Sequence, residues 1–397
     1  MKIIIQLGVP ISAGGAFHQG INAILQMREI CEGKYEIHVV TTKQENLAYL
    51  EKLNIAATVQ KLTWLDKLII ILSFSSIFIY FQNKFKFLSS FEKHIVALKG
   101  DFVYFLTQSN HPCLLVKTQF ITTVFDICHQ DHPEFPELRE HREFSLREIY
   151  LKNMMPSASL IITESEQTAK ALTQKYGVDS SRILAIPMGP SFDYELENQL
   201  SVEEVMQLYK LNTGYFFYPA QYWPHKNHIR IIQAIELLKK QGHEITALFV
   251  GSDKGNQSYL KKIAKELNIS EQVVFLNFVP QEHLIGFYRG SRAVVMPSYC
   301  GPTNIPPLEA WSLKKPLIYS REMAAQSKDA AIHIDPDNAA ELADALMACY
   351  DEEMNNNLIQ KGEKRLKEIR QERSDAEQKL GIFLAGMKKR RECWESY

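Results

Sequence analysis

Four short segments of this chain carry the residue types that bind anions and move protons. In Tyr218-Pro-Ala-Gln-Tyr-Trp-Pro-His-Lys-Asn-His228, Lys226 stands just ahead of an amphipathic run that places Ile231, Ile232, Ile235 and Leu238 on one face. A lysine at a helix entrance can neutralise a departing anion, and Gln221 can add one uncharged hydrogen bond. A lysine that simply faces solvent is the plainer alternative. In Thr123-Val-Phe-Asp-Ile-Cys-His-Gln-Asp-His-Pro133, Asp126 ends an apolar run and can accept from a hydroxyl. His129 or His132, as imidazoles, could move protons near neutral pH. In the stretch from Met296 to Ala310, an apolar run meets a helix start; Gly301 to Ile305 offer backbone N–H groups there, and Glu309 is expected in the first turn. Helix starts attract anions through unpaired donors and the helix dipole, although Gly and Pro also build ordinary connections. The fourth segment, Gly8 to Gly20, contains adjacent Gly14 and Gly15, which let backbone approach a ligand closely.

Some chemistries are disfavoured by spacing. The glycine loop is neither Gly-x-Gly-x-x-Gly nor a loop ending in Gly-Lys-Ser/Thr, so dinucleotide and ATP-hydrolysing readings are weak. The pairs His129/His132 and His225/His228 lack a carboxylate or cysteine partner at a ligand spacing, and no metal is expected.

Each of these segments follows a short apolar run, and such runs alternate with helical stretches along the whole chain, the pattern of parallel sheets with crossover helices. Strands are predicted at Ile3–Leu7, Ile37–Thr41, Phe102–Leu106, Ile121–Phe125 and Leu160–Thr163. A second group falls at Tyr215–Tyr218, Ala247–Val250, Val273–Leu276, Ala293–Met296, Leu317–Tyr319 and Ile332–Ile334. Two sheets are expected rather than one of that size. Ile186-Pro-Met-Gly-Pro-Ser191 interrupts the pattern and reads as a hinge ahead of a charged helix near Val202 to Tyr209. The expected organisation is α/β: an N-terminal Rossmann-like domain over 1–188, a second over 189–375, and a C-terminal helix over 376–397 packing back on the first. Ligands of open α/β sheets bind beyond the carboxyl ends of the strands, so two such domains would face each other across a shared cleft.

Composition is that of a globular protein, 46% hydrophobic and 23% charged. With 45 Lys plus Arg against 46 Asp plus Glu, no net field draws the chain to nucleic acid. Six scattered cysteines without a Cys-x-x-Cys pair fit a reducing cytoplasm, and the N-terminus reads as a first strand rather than a signal peptide. The run from Leu68 to Phe81 is too short to span a bilayer. It reads first as a buried or domain-packing helix and second as a peripheral membrane contact, to which the basic segment Lys388 to Arg391 with Trp394 could add attraction for anionic lipid.

Taken together, the segments Tyr218–His228 and Gly301–Ala310, with the double-glycine loop, the Ile186-Pro-Met-Gly189 hinge and Phe278-Val-Pro280, resemble the retaining glycosyltransferases of family 4, of GT-B fold. The resemblance implies a nucleotide-sugar donor, a glycan or lipid-linked acceptor hydroxyl, and no metal or other cofactor. It places Gly14 and Gly15 at the donor diphosphate and Lys226 on the leaving phosphate. Phe278 and Val279 would border the base, Glu309 would hold the ribose hydroxyls, and Thr303, Asn304 and Ile305 would present the loop to phosphate and sugar. Asp126, His129 and Gln221 complete the catalytic candidates. Three positions depart from the family: Gly301 stands where the first of two paired acids is usual, Gln221 where an arginine is, and Phe125 where a histidine is. Asn304 or backbone groups are the expected substitutes for the missing carboxylate. These departures also motivate a second reading, a nucleotide- or glycan-binding scaffold without turnover; a sugar-nucleotide epimerase is a third.

Overall fold

The computed structural model describes residues 1–11, 15–190 and 200–393, so Ser191 of the expected hinge and Trp394 of the basic C-terminal segment lie outside the described residues. It divides into two compact units. The first comprises Met1–Asp131, Arg139–Ser191 and Gln371–Tyr397, and the second His132–Leu138 and Phe192–Arg370.

The first unit is built on seven strands: β1 (Lys2–Leu7), β2 (Glu36–Thr41), β3 (Ala57–Val59), β4 (Phe102–Phe105), β5 (Gln119–Val124), β6 (Leu160–Thr163) and β7 (Ile183–Ala185). They lie in the order β3-β2-β1-β4-β5-β6-β7, every neighbouring pair parallel. Period-two alternation in β1 sends Ile3, Ile5 and Leu7 into the core on one face and Ile4 into the core on the other. Both faces are covered, which is why these strands read as unbroken apolar runs. The helix Glu352–Arg391 supplies Ala376, Leu380 and Leu384 to the first of these cores. β3 and β7 are not among the predicted strands; both are three-residue edge strands, half-buried throughout.

The second unit carries β8 (Phe216–Pro219), β9 (Ala247–Val250), β10 (Val273–Leu276), β11 (Ala293–Met296), β12 (Leu317–Ser320) and β13 (Ile332–Ile334). Their order is β10-β9-β8-β11-β12-β13, again wholly parallel. In each sheet the strand order reverses at one place, between β1 and β4 and between β8 and β11. Connections leave these neighbours in opposite directions and open a crevice at their carboxyl ends, where ligands of such sheets bind.

The apolar run at 68–81 corrects one expectation. It is not a single buried helix but parts of two, Trp64–Leu72 and Ser76–Phe85, separated at Ser73 to Ser75. A capping box between Thr63 and Asp66 starts the first of them. Much of the apolar surface of both faces solvent, with Trp64 76%, Ile77 70% and Phe85 71% exposed. No helix among the described residues is long and apolar enough to cross a membrane.

Candidate functional site

The second unit places the most informative residues at its reversal of strand order. The loop leaving β8 holds Gln221 and Lys226, and the loop leaving neighbouring β11 holds Gly301, Thr303 and Asn304. Several buried bonds fix the first loop. Tyr218 of β8 donates its hydroxyl to the Lys226 carbonyl at 2.8 Å. Asn227 adopts the left-handed conformation (φ 58°), which asparagine tolerates, and its Nδ2 donates to the carbonyls of Pro297 (3.0 Å) and Pro336 (2.8 Å). Tyr222 donates to the carbonyls of Leu276 (2.8 Å) and Phe249 (3.1 Å), tying the loop to the ends of β10 and β9. Gly251 lets β9 pass close behind: a Cβ there would lie 2.2 Å from the Ala220 carbonyl oxygen.

Lys226 Nζ donates to Asn304 Oδ1 at 3.2 Å, joining the two loops. Asn304 is itself held on every side. Its Nδ2 donates to Tyr319 Oη (2.8 Å) and to the Gly301 carbonyl (3.0 Å), and Tyr319 in turn donates to Gln326 Oε1 (2.8 Å). The Asn304 backbone N–H also donates to Gln326 Oε1 (3.0 Å), and Gln326 Nε2 donates back to the Asn304 carbonyl (2.7 Å). This alters the expected loop chemistry. The Asn304 amide is engaged by Gln326, and Pro302 and Pro306 carry no N–H, so those three positions offer a ligand no backbone donor.

The helix Ile305–Ser312 begins at Asn304, so Glu309 lies beyond the first turn, a correction to its expected position. Glu309 is 3% exposed and accepts a hydrogen bond from the hydroxyl of buried Tyr288. Gln221 accepts from Trp223 Nε1 at 2.9 Å, and the Lys254 ammonium lies 5.5 Å from the centre of the Trp223 ring. Phe278, just beyond β10, is 60% exposed, while Val279 beside it is buried.

His225 and His228 are not paired ligands. His225 bonds to Glu137 from the segment His132–Leu138, through both its backbone N–H and its ring. Burial raises the Glu137 pKa, but the His225 bonds outweigh that and hold it below the ordinary carboxylate value. His228 packs among the rings of Tyr218, Tyr222 and Phe249, and burial pushes its pKa down to about 3.

In the first unit Gly14 lies outside the described residues, and Gly15 opens the helix Gly15–Cys31 after β1. Asp126 follows β5 and accepts from Arg147 Nη1 and from the Cys128 N–H, each at 2.9 Å. Burial opposes its ionisation, yet the Arg147 guanidinium and the Cys128 amide hold its pKa low. His129 is wholly buried against Glu148, its Nε2 2.9 Å from the carboxylate, and burial keeps its pKa below the usual imidazole value. Glu148 also receives Gln130, Tyr176 and Lys152. Burial disfavours its charge, but these donors, Lys152 first, bring its pKa down to about 2. Among the described residues no three metal-ligating side chains gather in one place.

Arg147, Tyr288, Tyr319 and Gln326 were absent from the sequence reading. Tyr319 had a signal, since it closes a predicted strand next to the strand leading into the Gly301 loop. Tyr288 and Gln326 had none, because their partners come from other elements.

Comparison with known proteins places this geometry. Residues 206–365, within the second unit, match the family model described as glycosyl transferases group 1. O-antigen chain mannosyltransferase B of Escherichia coli is 26% identical over 226 residues, 55% of this chain and 58% of that protein. D-inositol 3-phosphate glycosyltransferase of Nocardia farcinica is 27% identical over 179 residues, 43% of this chain and 40% of that protein. The chain thus spans about half the length of the curated relatives it matches. Anabaena HepE, solved in complex with UDP and glucose, superposes with a TM-score of 0.69 at 19% identity, over 97% of this chain and 100% of that one. That likeness establishes the fold: two parallel α/β sheets of the GT-B kind.

Proposed function

We propose that the chain is a retaining glycosyltransferase that moves a sugar from a nucleoside-diphosphate donor to a hydroxyl of a glycan or lipid-linked acceptor in cell-surface polysaccharide synthesis. The observation that carries this reading is the Lys226–Asn304 bridge at the strand-order reversal of a domain matching the glycosyl transferases group 1 model. The relatives named for O-antigen mannosyl transfer and the neighbour holding UDP and glucose support the substrate classes.

Breaking the bond from the sugar's anomeric carbon to the diphosphate leaves negative charge on the departing oxygens. Lys226, oriented by Asn304 before substrate arrives, supplies the counter-charge, and the amide of Ile305 adds a neutral donor. A preorganised charge of this kind needs little rearrangement as the transition state forms. Glu309, backed by Tyr288, accepts from the ribose hydroxyls, and Phe278 with Val279 borders the base. With no carboxylate at Gly301, the sugar is held by Asn304 and backbone, and the acceptor oxygen attacks from the face the diphosphate leaves, giving retention. The acceptor proton passes to the departing phosphate, so the step needs neither an enzymic nucleophile nor a metal. In the first unit, Asp126 accepts from an acceptor hydroxyl, and His129 holds its surroundings through Glu148.

Thermal shift against UDP, GDP, ADP and their sugars tests the reading, because binding to the folded state alone raises apparent stability, by about 2.7 kcal/mol at a hundredfold excess over Kd. One nucleotide family is expected to shift the transition and to be turned over, with Glu309→Ala removing much of the shift. Lys226→Ala should lower transfer by roughly 10²–10³ while leaving the fold intact. Binding without turnover of any acceptor would indicate a scaffold, and no binding at all would end the proposal.

A further inference from the structure

The helices Trp64–Leu72 and Ser76–Phe85 turn the wrong face outward for a water-exposed surface. In the first, Trp64, Leu68 and Ile71 are 76%, 39% and 61% exposed, at spacings of four and seven that align them on one side. In the second, Ile77, Tyr80, Phe81 and Phe85 (70%, 60%, 48% and 71%) repeat the pattern at three, four and eight. The rings support one another: Phe81 and Phe85 stack at 6.1 Å, and the Lys84 ammonium lies 5.8 Å from the centre of Tyr80. Inward-facing Ile69, Ser73 and Gln82 are buried, so both helices are anchored and the apolar side is not a product of fraying. Clustered exposed apolar side chains of this kind mark an interaction site.

The charges around it identify the partner. Between 61 and 93 the exposed charged side chains are lysines, at 61, 67, 84, 86 and 93. The two carboxylates in that span, Asp66 and Glu92, are fully buried. Asp66 accepts from the Thr63 N–H and hydroxyl and from the Phe91 N–H. Glu92 accepts from the N–H groups of Val116, Lys117 and Thr118 at 2.8–2.9 Å. Solvent therefore meets aromatic and aliphatic side chains rimmed by lysines. A second copy of the chain is a poor fit, because a two-fold contact would bring lysines against lysines. Neither helix can cross a bilayer, since nine or ten residues reach only about 15 Å. Tryptophan and tyrosine beside lysine suit the headgroup level instead.

We propose that these two helices form a docking surface for an anionic lipid bilayer, their apolar faces entering at headgroup depth while the lysines meet lipid phosphates. The proposal stands apart from the sugar-transfer reading, and its test uses no donor. The intact chain is sedimented with vesicles of phosphatidylcholine alone or mixed with phosphatidylglycerol, and tryptophan emission is followed. Binding to the mixed vesicles, weakened by salt, is expected with a blue shift. The double substitution Ile77→Ser/Phe85→Ser should weaken binding at least tenfold, as should Lys67→Glu/Lys84→Glu; both pairs are exposed and should leave the melting temperature unchanged. Trp64→Phe should abolish most of the blue shift while vesicle binding persists. The proposal is overturned by absence of binding, by equal binding to neutral vesicles, or by a concentration-dependent dimer that the serine substitutions dissolve without any vesicle binding.

Discussion

Acid should loosen the second unit through His228, one turn of chain from the lysine assigned to the leaving group. The imidazole is 1% exposed, with ring centres of Tyr218, Tyr222 and Phe249 at 4.6, 5.0 and 5.1 Å. Burial, with smaller contributions from Lys226 and His225, lowers its pKa from 6.5 to about 3. The unfolded chain therefore takes up a proton as pH falls through 6.5, and the folded chain does not until about pH 3. Stability is full above pH 6.5 and declines across that window, the loss approaching about 5 kcal/mol at its foot, at 1.36 kcal/mol per unit. Between pH 7 and pH 5 the same linkage gives a loss of about 2 kcal/mol. The assay is urea unfolding of the intact chain at the two pH values, read by fluorescence, in the wild type and in His228→Leu. The substitution has its own cost at pH 7, but that cost cancels when each protein is compared with itself. Wild type should lose about 2 kcal/mol more than the variant. Equal losses would show that the ring can be protonated where it sits, and would refute the argument that its cage excludes charge.

Two further outcomes bear on how the site is held. Gly251→Ala would press a methyl group into the backbone of Ala220 and Gln221, costing about 1–3 kcal/mol and displacing the Lys226 loop, so a raised KM for donor should accompany a lower Tm. Tyr319→Phe removes the hydroxyl linking Asn304 to Gln326 in a fully buried position, an expected loss of about 1–3 kcal/mol. Its kinetic signature should be a fall in kcat that Lys226→Ala does not deepen additively, because both act on one ammonium; full additivity would place Tyr319 outside the pathway that orients Lys226.

Much of the architecture was legible because parallel strands covered on both faces leave uninterrupted apolar runs, such as Ala247–Val250 and Ala293–Met296. The edge strands at Ala57 and Ile183 were not, since three half-buried residues make too short a segment to tell from a connection, and Ile183 to Ile186 run straight into the proline-rich hinge. Loops following strands were also legible, and with them Lys226 and the Gly301 segment. What those loops bind to was not. Asn304 meets Lys226 across 78 positions and Gln326 across 22, separations at which no periodicity carries information. The exposed pair of helices shows a different failure. Hydropathy at 68–81 reports what the side chains prefer, not which way the helix faces, and the serines at 73, 75 and 76 were the one local hint of a break.

Gly301 sits at φ +103°, a conformation open to glycine and strained for any side chain. The carboxylate that the resemblance to family 4 would place here therefore cannot be installed by exchanging one letter. A glutamate in that place would have to abandon the backbone angle, and with it the carbonyl that receives Asn304, so Gly301→Glu alone should weaken the loop before it gains any grip on sugar. A working carboxylate there requires at least the glutamate, a re-routed turn and a new partner for Asn304 together, and single-site libraries would pass that combination by.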